Sequence, residues 1–362
     1  MKIAIVGPTH PYKGGIAQHT TQLAHHLEDT GNDVEIISWR AQYPFFYPGV
    51  QFVPEATPEL PVFSHTKRVL SWKNPAGWLR WGRKLRAYDK VIFIWFVPTI
   101  QGPIYRIMQQ SLGKHSLETI ILCYNVVQHS AGPADKKITA LVFNRADRLL
   151  VHTTTLATLA QKLSNTPVSV ATMPAHLPGH PDASKHPNKL QHHLLFFGLV
   201  RLYKGVDILL HALAHVPDIT LTVAGEMWGK QQVKLEALIS ELKLGKRVTL
   251  LPGYVPAEDI GGLFQAADAL IMPYRAGTAS QTAELAFAHG VPVIATKVGS
   301  MPQQIRNGID GLLCEPNDVT DLTAAITHFY ESGVAASLRS RIPKSHAEAD
   351  WQHYVDVIVQ DK

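Results

Sequence analysis

The sequence predicts an α/β protein of two doubly wound domains facing across a cleft, and three observations point there. Short apolar runs alternate with helix-like stretches along most of the chain. A Pro- and His-rich interval, residues 173–190, interrupts that alternation once. The length of 362 residues exceeds what one compact core usually supports.

The first domain, residues 1–172, opens on the buried-strand run KIAIVG, followed by a Gly/Pro loop, a helical pattern over Ile16–Leu27 and a second strand in DVEIISW. Further strands fall at KVIFIWF (Lys90–Phe96), ETIILCY (Glu118–Tyr124) and DRLLVHT (Asp147–Thr153), each after a helical pattern. Pro174, Pro178, Pro181 and Pro187 oppose regular structure and mark the linker. In the second domain, residues 191–340, the alternation restarts with strand HLLFFG, helix VDILLHALAHV and strand ITLTVAG. A helix to about Leu244, strand RVTLLPG, a short helix around Phe264, strand ADALIMP, a helix through Ala288 and strand VPVIAT follow. Residues 341–362 close on a helix-like AEADWQHYVDVIVQ with Trp351, Tyr354 and Val355 near one face. Such alternation gathers loops at the carboxyl ends of both sheets, where doubly wound folds bind ligands.

Composition narrows the class. With 46% hydrophobic and 17% charged residues, the chain reads as globular and soluble, and no apolar run approaches the roughly 20 residues of a membrane span. The N-terminus lacks a secretory apolar region and reads as a first strand. Cys123 and Cys314 lie far apart in apolar stretches, so small core residues in a reducing, cytoplasmic setting are expected rather than a disulfide. A net charge of +5 favours anionic partners: nucleotide diphosphates, an anionic membrane surface or nucleic acid. The last ranks lowest, because the basic residues follow no RRM, KH or helix-turn-helix pattern. No metal is expected, since His25-His26 and His192-His193 lack metal-site spacing.

Three loops carry candidate chemistry. In GPTHPYKGGIAQHT, Gly14 and Gly15 precede a helix start, where backbone N–H groups can approach an anion or a polar sugar; a bare turn is the competing reading, and His19 reads as a solvated helix residue. In FFGLVRLYKGVDILL, Arg201 and Lys204 follow a strand and Gly198 and precede a helix. Two cations at the mouth of a sheet suit a diphosphate, Arg gripping phosphate bidentately and Lys as a point charge. In MPYRAGTASQTAELAFAHGVPVIAT, the segment Gly277, Thr278, Ala279, Ser280, Gln281 and Thr282 runs into a helix and offers hydroxyls and amides as a second anion cradle.

Taken together, GGIAQHT, the Arg-x-x-Lys-Gly after a strand, VAGE, PGYVPAEDIGGLFQAADALIMPY and AHGVPVIAT followed by GIDGLL resemble glycosyltransferase family 4, with the GT-B fold of two Rossmann-like domains. The resemblance covers nearly the whole chain and is most specific in its second half. It implies a metal-independent, cofactor-free transferase that retains anomeric configuration, using a nucleotide diphosphate sugar as co-substrate. The acceptor, a glycan or a lipid-linked molecule, is implied on the N-terminal domain and the donor on the C-terminal one. Arg201 and Lys204 match the donor-phosphate pair, and Gly253, Tyr254 and Val255 match the segment facing the nucleobase. The C-terminal helix matches helices that cross back to the first domain.

Two departures stand out. Aligned on Ala288-His289-Gly290-Val291-Pro292, the two glutamates usual in the family fall on Gly277 and Leu285; Glu284 is one residue away, about 100° around the helix, and either contacts the donor or is solvated. ILCYNVVQHSAGPADKK resembles the HNxxPH segment, with Tyr124 and Gln128 replacing its first histidine and its proline. Asn125 and His129 remain, His129 as a candidate to contact the transferred sugar or orient the acceptor hydroxyl, a satisfied loop histidine being the alternative. Trp95 and Phe96 either stack on a sugar or fill the core. SWKNPAGWLRWGRKLRAY forms a helix whose Trp78, Trp81, Leu85 and Tyr88 face either an anionic membrane or the core. The rival functions are a nucleotide-sugar epimerase on the same fold and a non-catalytic nucleotide- or glycan-binding module.

Overall fold

The computed structural model describes residues 1–44, 52, 61–113, 116–126, 132–174, 189–277, 280–343 and 347–360. The chain divides into two units: Met1–His176 with His346–Lys362, and Leu177–Ser345.

The first unit is built on β1 (Lys2–Val6), β2 (Asp33–Ala41), β3 (Thr66–Ser71), β4 (Lys90–Trp95), β5 (Glu118–Cys123), β6 (Arg148–Val151) and β7 (Val168–Val170). They form one parallel sheet in the order β3-β2-β1-β4-β5-β6-β7. Strands β1 and β4 are apolar over nearly their whole length because both sheet faces are covered, as a parallel sheet requires. The covering elements are α1 (Gly15–Asp29), α2 (Pro75–Lys84), α3 (Pro98–Leu112), α4 (Pro133–Phe143) and α5 (Thr154–Gln161). Along α2 and the turn after it the stripe packs inward: Trp78, Leu85 and Tyr88 are buried, Trp81 is half-buried beneath Lys84, and Trp78 Nε1 donates to the Ser71 carbonyl at 2.6 Å. Most of its apolar face therefore packs on the core, while Leu79, Arg80, Arg83 and Lys84 stay exposed.

The second unit carries β8 (His193–Phe197), β9 (Thr220–Gly225), β10 (Val248–Pro252), β11 (Ala269–Met272), β12 (Val293–Thr296) and β13 (Gly311–Cys314), all parallel in the order β10-β9-β8-β11-β12-β13. Around them lie α6 (Val206–Ala214), α7 (Gln231–Glu241), α8 (Ala257–Ala266), α9 (Gln281–Ala288), α10 (Met301–Gln304), α11 (Val319–Phe329) and α12 (Val334–Ser340). Cys123 and Cys314 are both free and buried, one in each sheet. Among the described residues, no helix is long and apolar enough to cross a membrane.

The last helix, α13 (Ala347–Val359), belongs to the first unit, where Trp351, Tyr354, Val355 and Ile358 complete the core beside Leu23 and Leu27 of α1. Its carboxyl end is held by two cations. Lys90 Nζ donates to the carbonyls of Ile358 (2.8 Å) and Val359 (3.1 Å), and Arg148 donates to those of Val357 and Ile358. Positive charge there satisfies the orphan carbonyls and complements the negative helix end. Glu118 neutralises both, at 2.8 Å from Lys90 and 3.0 Å from Arg148.

Beneath α13 the rings of His19, Tyr124, His152 and Tyr354 pack together, and His19 also stacks on Trp351. Burial pushes the His152 imidazole down to about 4, against the opposing hydrogen bond to the Ala171 carbonyl. The unfolded chain takes up a proton near pH 6.5 and the folded one only near pH 4, so stability is full above pH 6.5 and falls as the pH drops between the two. The expected loss is roughly 3 kcal/mol. Urea titrations of wild-type protein and His152→Phe at pH 7 and pH 4 check it: the variant loses less over this interval, and equal losses refute the assignment.

Candidate functional site

In the second sheet the strand order reverses between β8 and β11, the kind of position at which doubly wound folds bind ligands. After β8 the chain stays alongside β9, with Gly198 N donating to the Ala224 carbonyl (2.9 Å) and Val200 N to that of Glu226 (2.8 Å). This approach needs glycine at 225, where φ is 142° and a Cβ would run into the Gly198 carbonyl. The Gly253 amide in turn donates to the Gly225 carbonyl at 3.3 Å, so the ends of β8, β9 and β10 sit side by side. Half-buried Tyr254 and Val255 follow directly.

Arg201 precedes and Lys204 ends a single 3₁₀ turn, Leu202–Lys204, that leads into α6. Each cation rests on an aromatic ring. The Arg201 guanidinium carbon lies 3.8 Å from the Trp228 centroid, and Lys204 Nζ lies 5.1 Å from that of Tyr274 and next to Gly198. Burial and the nearby Arg201 charge both work against the Lys204 ammonium; the phenol groups of Tyr274 and Tyr203 outweigh them and hold its pKa above the ordinary value. Lys204 is thus a fixed positive charge, within electrostatic reach of a second one.

The turn itself is clamped by a residue that sequence reasoning passes over. Arg275, just after β11, donates from its backbone to the Tyr203 carbonyl (2.7 Å) and from Nη1 to that of Leu202 (2.6 Å). It also forms a two-pronged pair with Asp207, at 2.8 and 2.6 Å. Burial alone would raise the Asp207 carboxyl; the Arg275 hydrogen bonds and charge outweigh it and hold the pKa below its usual value. Gly205 completes the clamp: its φ is 68°, and a Cβ there would strike the Pro273 carbonyl. The only signal for this pairing in the sequence is an Arg after MPY and an Asp after KGV, far apart and individually ordinary.

The expected amide cradle at the start of α9 is partly committed elsewhere. Ser280 caps the helix, its side chain accepting the Thr282 amide at 3.3 Å, while its own amide donates to Gln304 Oε1 at 3.5 Å. Gln281 Oε1 is buried and makes no hydrogen bond among the described residues. Gly277 packs beside Tyr274, whereas Thr278 and Ala279 lie outside the described residues. Leu285 is core, 4% exposed, and leaves Glu284 half-buried on the neighbouring helix face. Among the described residues no three His, Cys, Asp or Glu side chains gather where they could hold a metal ion.

In the first unit Gly14 caps α1 and both Gly14 and Gly15 are exposed, at the rim of a pocket also lined by Tyr12, Lys13, Gln42 and Phe96. The expected solvated His19 is instead fully buried, hydrogen-bonded through Nδ1 to the Tyr124 hydroxyl and stacked on Trp351, so it presents no surface to an acceptor. Tyr124, standing where the resemblance has a histidine, is half-buried and packs against the core through His19 and His152. Trp95 is also fully buried, its Nε1 facing the Val126 carbonyl at 3.5 Å and its ring against Phe143, so it fills the core rather than stacking on a sugar. Asn125 is half-buried just after β5, and His129 lies outside the described residues.

Residues 182–347 match the sequence profile of the family described as glycosyl transferases group 1. The match takes in nearly all of the second unit. Among curated relatives, the D-inositol 3-phosphate glycosyltransferase of Mycolicibacterium smegmatis is 31% identical over 232 residues, covering 60% of this chain and 53% of the relative. The chain therefore spans about half the length of that relative. Among solved structures, sucrose-phosphate synthase from Thermosynechococcus elongatus superposes with a TM-score of 0.75 at 18% identity, covering 99% of this chain and 98% of that one. Anabaena HepE in complex with UDP-glucose superposes at 0.74 and 13% identity, covering 99% of both chains. These likenesses, with the two parallel sheets described above, show the GT-B fold.

Proposed function

We propose that the protein is a retaining glycosyltransferase that moves a hexosyl group from a uridine diphosphate sugar to a hydroxyl of a glycan or lipid-linked acceptor, without a metal. The observation that carries this reading is the pair Arg201 and Lys204, each resting on an aromatic ring at the strand-order reversal of the second sheet. A sugar diphosphate leaving group gains negative charge as its bond to the anomeric carbon breaks, and fixed cations stabilise that charge more than they stabilise the ground state. The acceptor oxygen bonds to the anomeric carbon on the face the diphosphate leaves. The acceptor proton passes to the departing phosphate oxygen, so no base on the protein is required. The choice of uridine is supported by the UDP and UDP-glucose complexes of the structurally similar HepE.

Thermal-shift titrations with uridine, guanosine and adenosine diphosphate glucose, followed by an assay of released nucleoside diphosphate with and without lipid-phosphate acceptors, test the proposal. The expected result is stabilisation by the uridine compound and release that depends on an acceptor. Binding without release under any acceptor marks a non-catalytic module, and a rearranged sugar without acceptor marks an epimerase.

A further inference from the structure

In the first unit α2 packs beside α3, and α3 beside α4, so three helices lie side by side over the core that holds Trp78, Tyr105 and Phe143. Helices α1 and α13 pack together over a separate core, that of Leu23, Leu27 and Tyr354. Charge divides along the same line. The three-helix layer carries Arg80, Arg83, Lys84, Arg106, Lys136 and Lys137 against one carboxylate, Asp135, which is engaged in capping α4 by accepting the Gly132 amide at 3.0 Å. Helices α1 and α13 carry Glu28, Asp29, Asp350 and Asp356 and neither Lys nor Arg.

The contrast is sharpest around α2. Residues 66–88 contain seven Lys or Arg and no Asp or Glu, so the rest of the chain, with 27 cations against 29 carboxylates, is net acidic. Five of the six cations of the layer are exposed, Arg106 being half-buried, and none of the six forms an ion pair with a described carboxylate. Among them stand Leu79 and Leu141, exposed to 41% and 43%, and half-buried Trp81, whose ring centroid lies 4.5 Å from Lys84 Nζ.

Packed helix axes lie about 8–10 Å apart, so the layer is roughly 20 Å wide between its outer axes, about twice the screening length of a charge at ~0.1 M salt. A small anion meets only part of such a face, whereas an anionic plane meets all of it, and the acidic helices of the same unit favour the orientation in which the basic layer leads. Exposed Leu and Trp between the cations suit the boundary between headgroups and acyl chains better than a phosphate backbone.

We propose that the α2–α3–α4 layer docks the protein on an anionic lipid bilayer, with its cations at the headgroup phosphates and Leu79, Trp81 and Leu141 at the acyl boundary. The proposal is independent of the transferase reading, because no residue of the second unit takes part.

Co-sedimentation of the full chain with vesicles of phosphatidylcholine alone, or of phosphatidylcholine and phosphatidylglycerol in equal parts, tests it. The wild type is expected to sediment with the anionic vesicles only, and binding should fall by roughly tenfold between about 0.1 M and about 0.5 M salt. Each cation near the surface is worth about five-fold in partition, so Arg80→Ala/Arg83→Ala/Lys84→Ala should bind roughly 100-fold less. Lys230→Ala/Lys234→Ala/Lys246→Ala removes the same charge from exposed positions of the second unit and should bind as the wild type does. The UDP thermal shift should be the same in all three proteins, and its absence from all of them counts against the donor assignment alone. No sedimentation with anionic vesicles, equal sedimentation with neutral ones, or equal losses in the two triple variants overturns the proposal. So does a DNA duplex that, at equal phosphate concentration, strips the wild type from the vesicles, since the face then belongs to nucleic acid. Should the α2 variant not fold, Lys136→Ala/Lys137→Ala decides: a loss of roughly 20-fold upholds the docking face and unchanged binding overturns it.

Discussion

Arg201→Ala and Lys204→Ala are each expected to lower transfer at least tenfold while leaving the melting temperature close to wild type. Arg201 is half-buried and stacked on Trp228, and Lys204 is held against Tyr274 and Gly198, so neither side chain is an anchor of the core. What each supplies is positive charge fixed before the reaction begins, the arrangement that gains most as the leaving diphosphate charges; removing one such donor commonly costs about 10²–10³ in turnover. Arg201→Lys should recover only part of the loss, because an ammonium neither stacks as a plane nor grips two oxygens. Arg275→Ala should mimic the loss without touching the substrate, by freeing the turn that aims both cations, and should leave donor binding weakened as well. Steady-state kinetics with a saturating acceptor check these outcomes. Unchanged kcat and KM in both alanine variants would sink the assignment of the donor site.

Lys90→Ala is expected to destabilise the first unit by about 3 kcal/mol, near the low end for breaking a buried ion pair because Arg148 still faces Glu118. Lys90 is 1% exposed and serves three acceptors at once: the Glu118 carboxylate and the last carbonyls of α13. Its removal leaves those carbonyls dry and unmatched and opens space in the core. For a unit of this size the melting temperature should fall by about 6–12 °C. Circular dichroism melts measure this, and limited proteolysis should show earlier cleavage before Trp351 in the variant. A melting temperature within 2 °C of wild type, a threshold at about the smallest shift expected per kcal/mol, would mean that α13 is held by its apolar face alone.

The parts of the fold legible in the sequence were those written in apolar runs. The central strands β1, β4, β5, β8, β9 and β11 are buried on both faces and therefore read as continuous Ile, Val and Leu stretches. Strand β3 escapes because it lies at the sheet edge, with Lys67 and Arg68 exposed, and β7 because it has three residues. At the site, Arg201, Lys204 and Gly198 were readable because they follow one another at the end of a strand. Their supports were not: Trp228 arrives from the loop after β9, Tyr274 and Arg275 from the loop after β11 and Asp207 from the first turn of α6, and only folding makes them neighbours. His19 misled in the opposite way, since a histidine in a helix near the surface loop gives no hint that Trp351, over 300 positions later, will cover it.

The covering of the first unit by α13 has a consequence for biosynthesis. Leu23, Leu27 and His19 receive their cover from a segment translated only after the whole of Leu177–Ser345. At about 5–20 residues per second the ribosome needs roughly 10–30 s to make that stretch. During this interval the nascent first unit carries an open apolar slot of the shape of one helix, a natural point of engagement for chaperones and a reason for truncations ahead of Trp351 to aggregate while the second unit still folds.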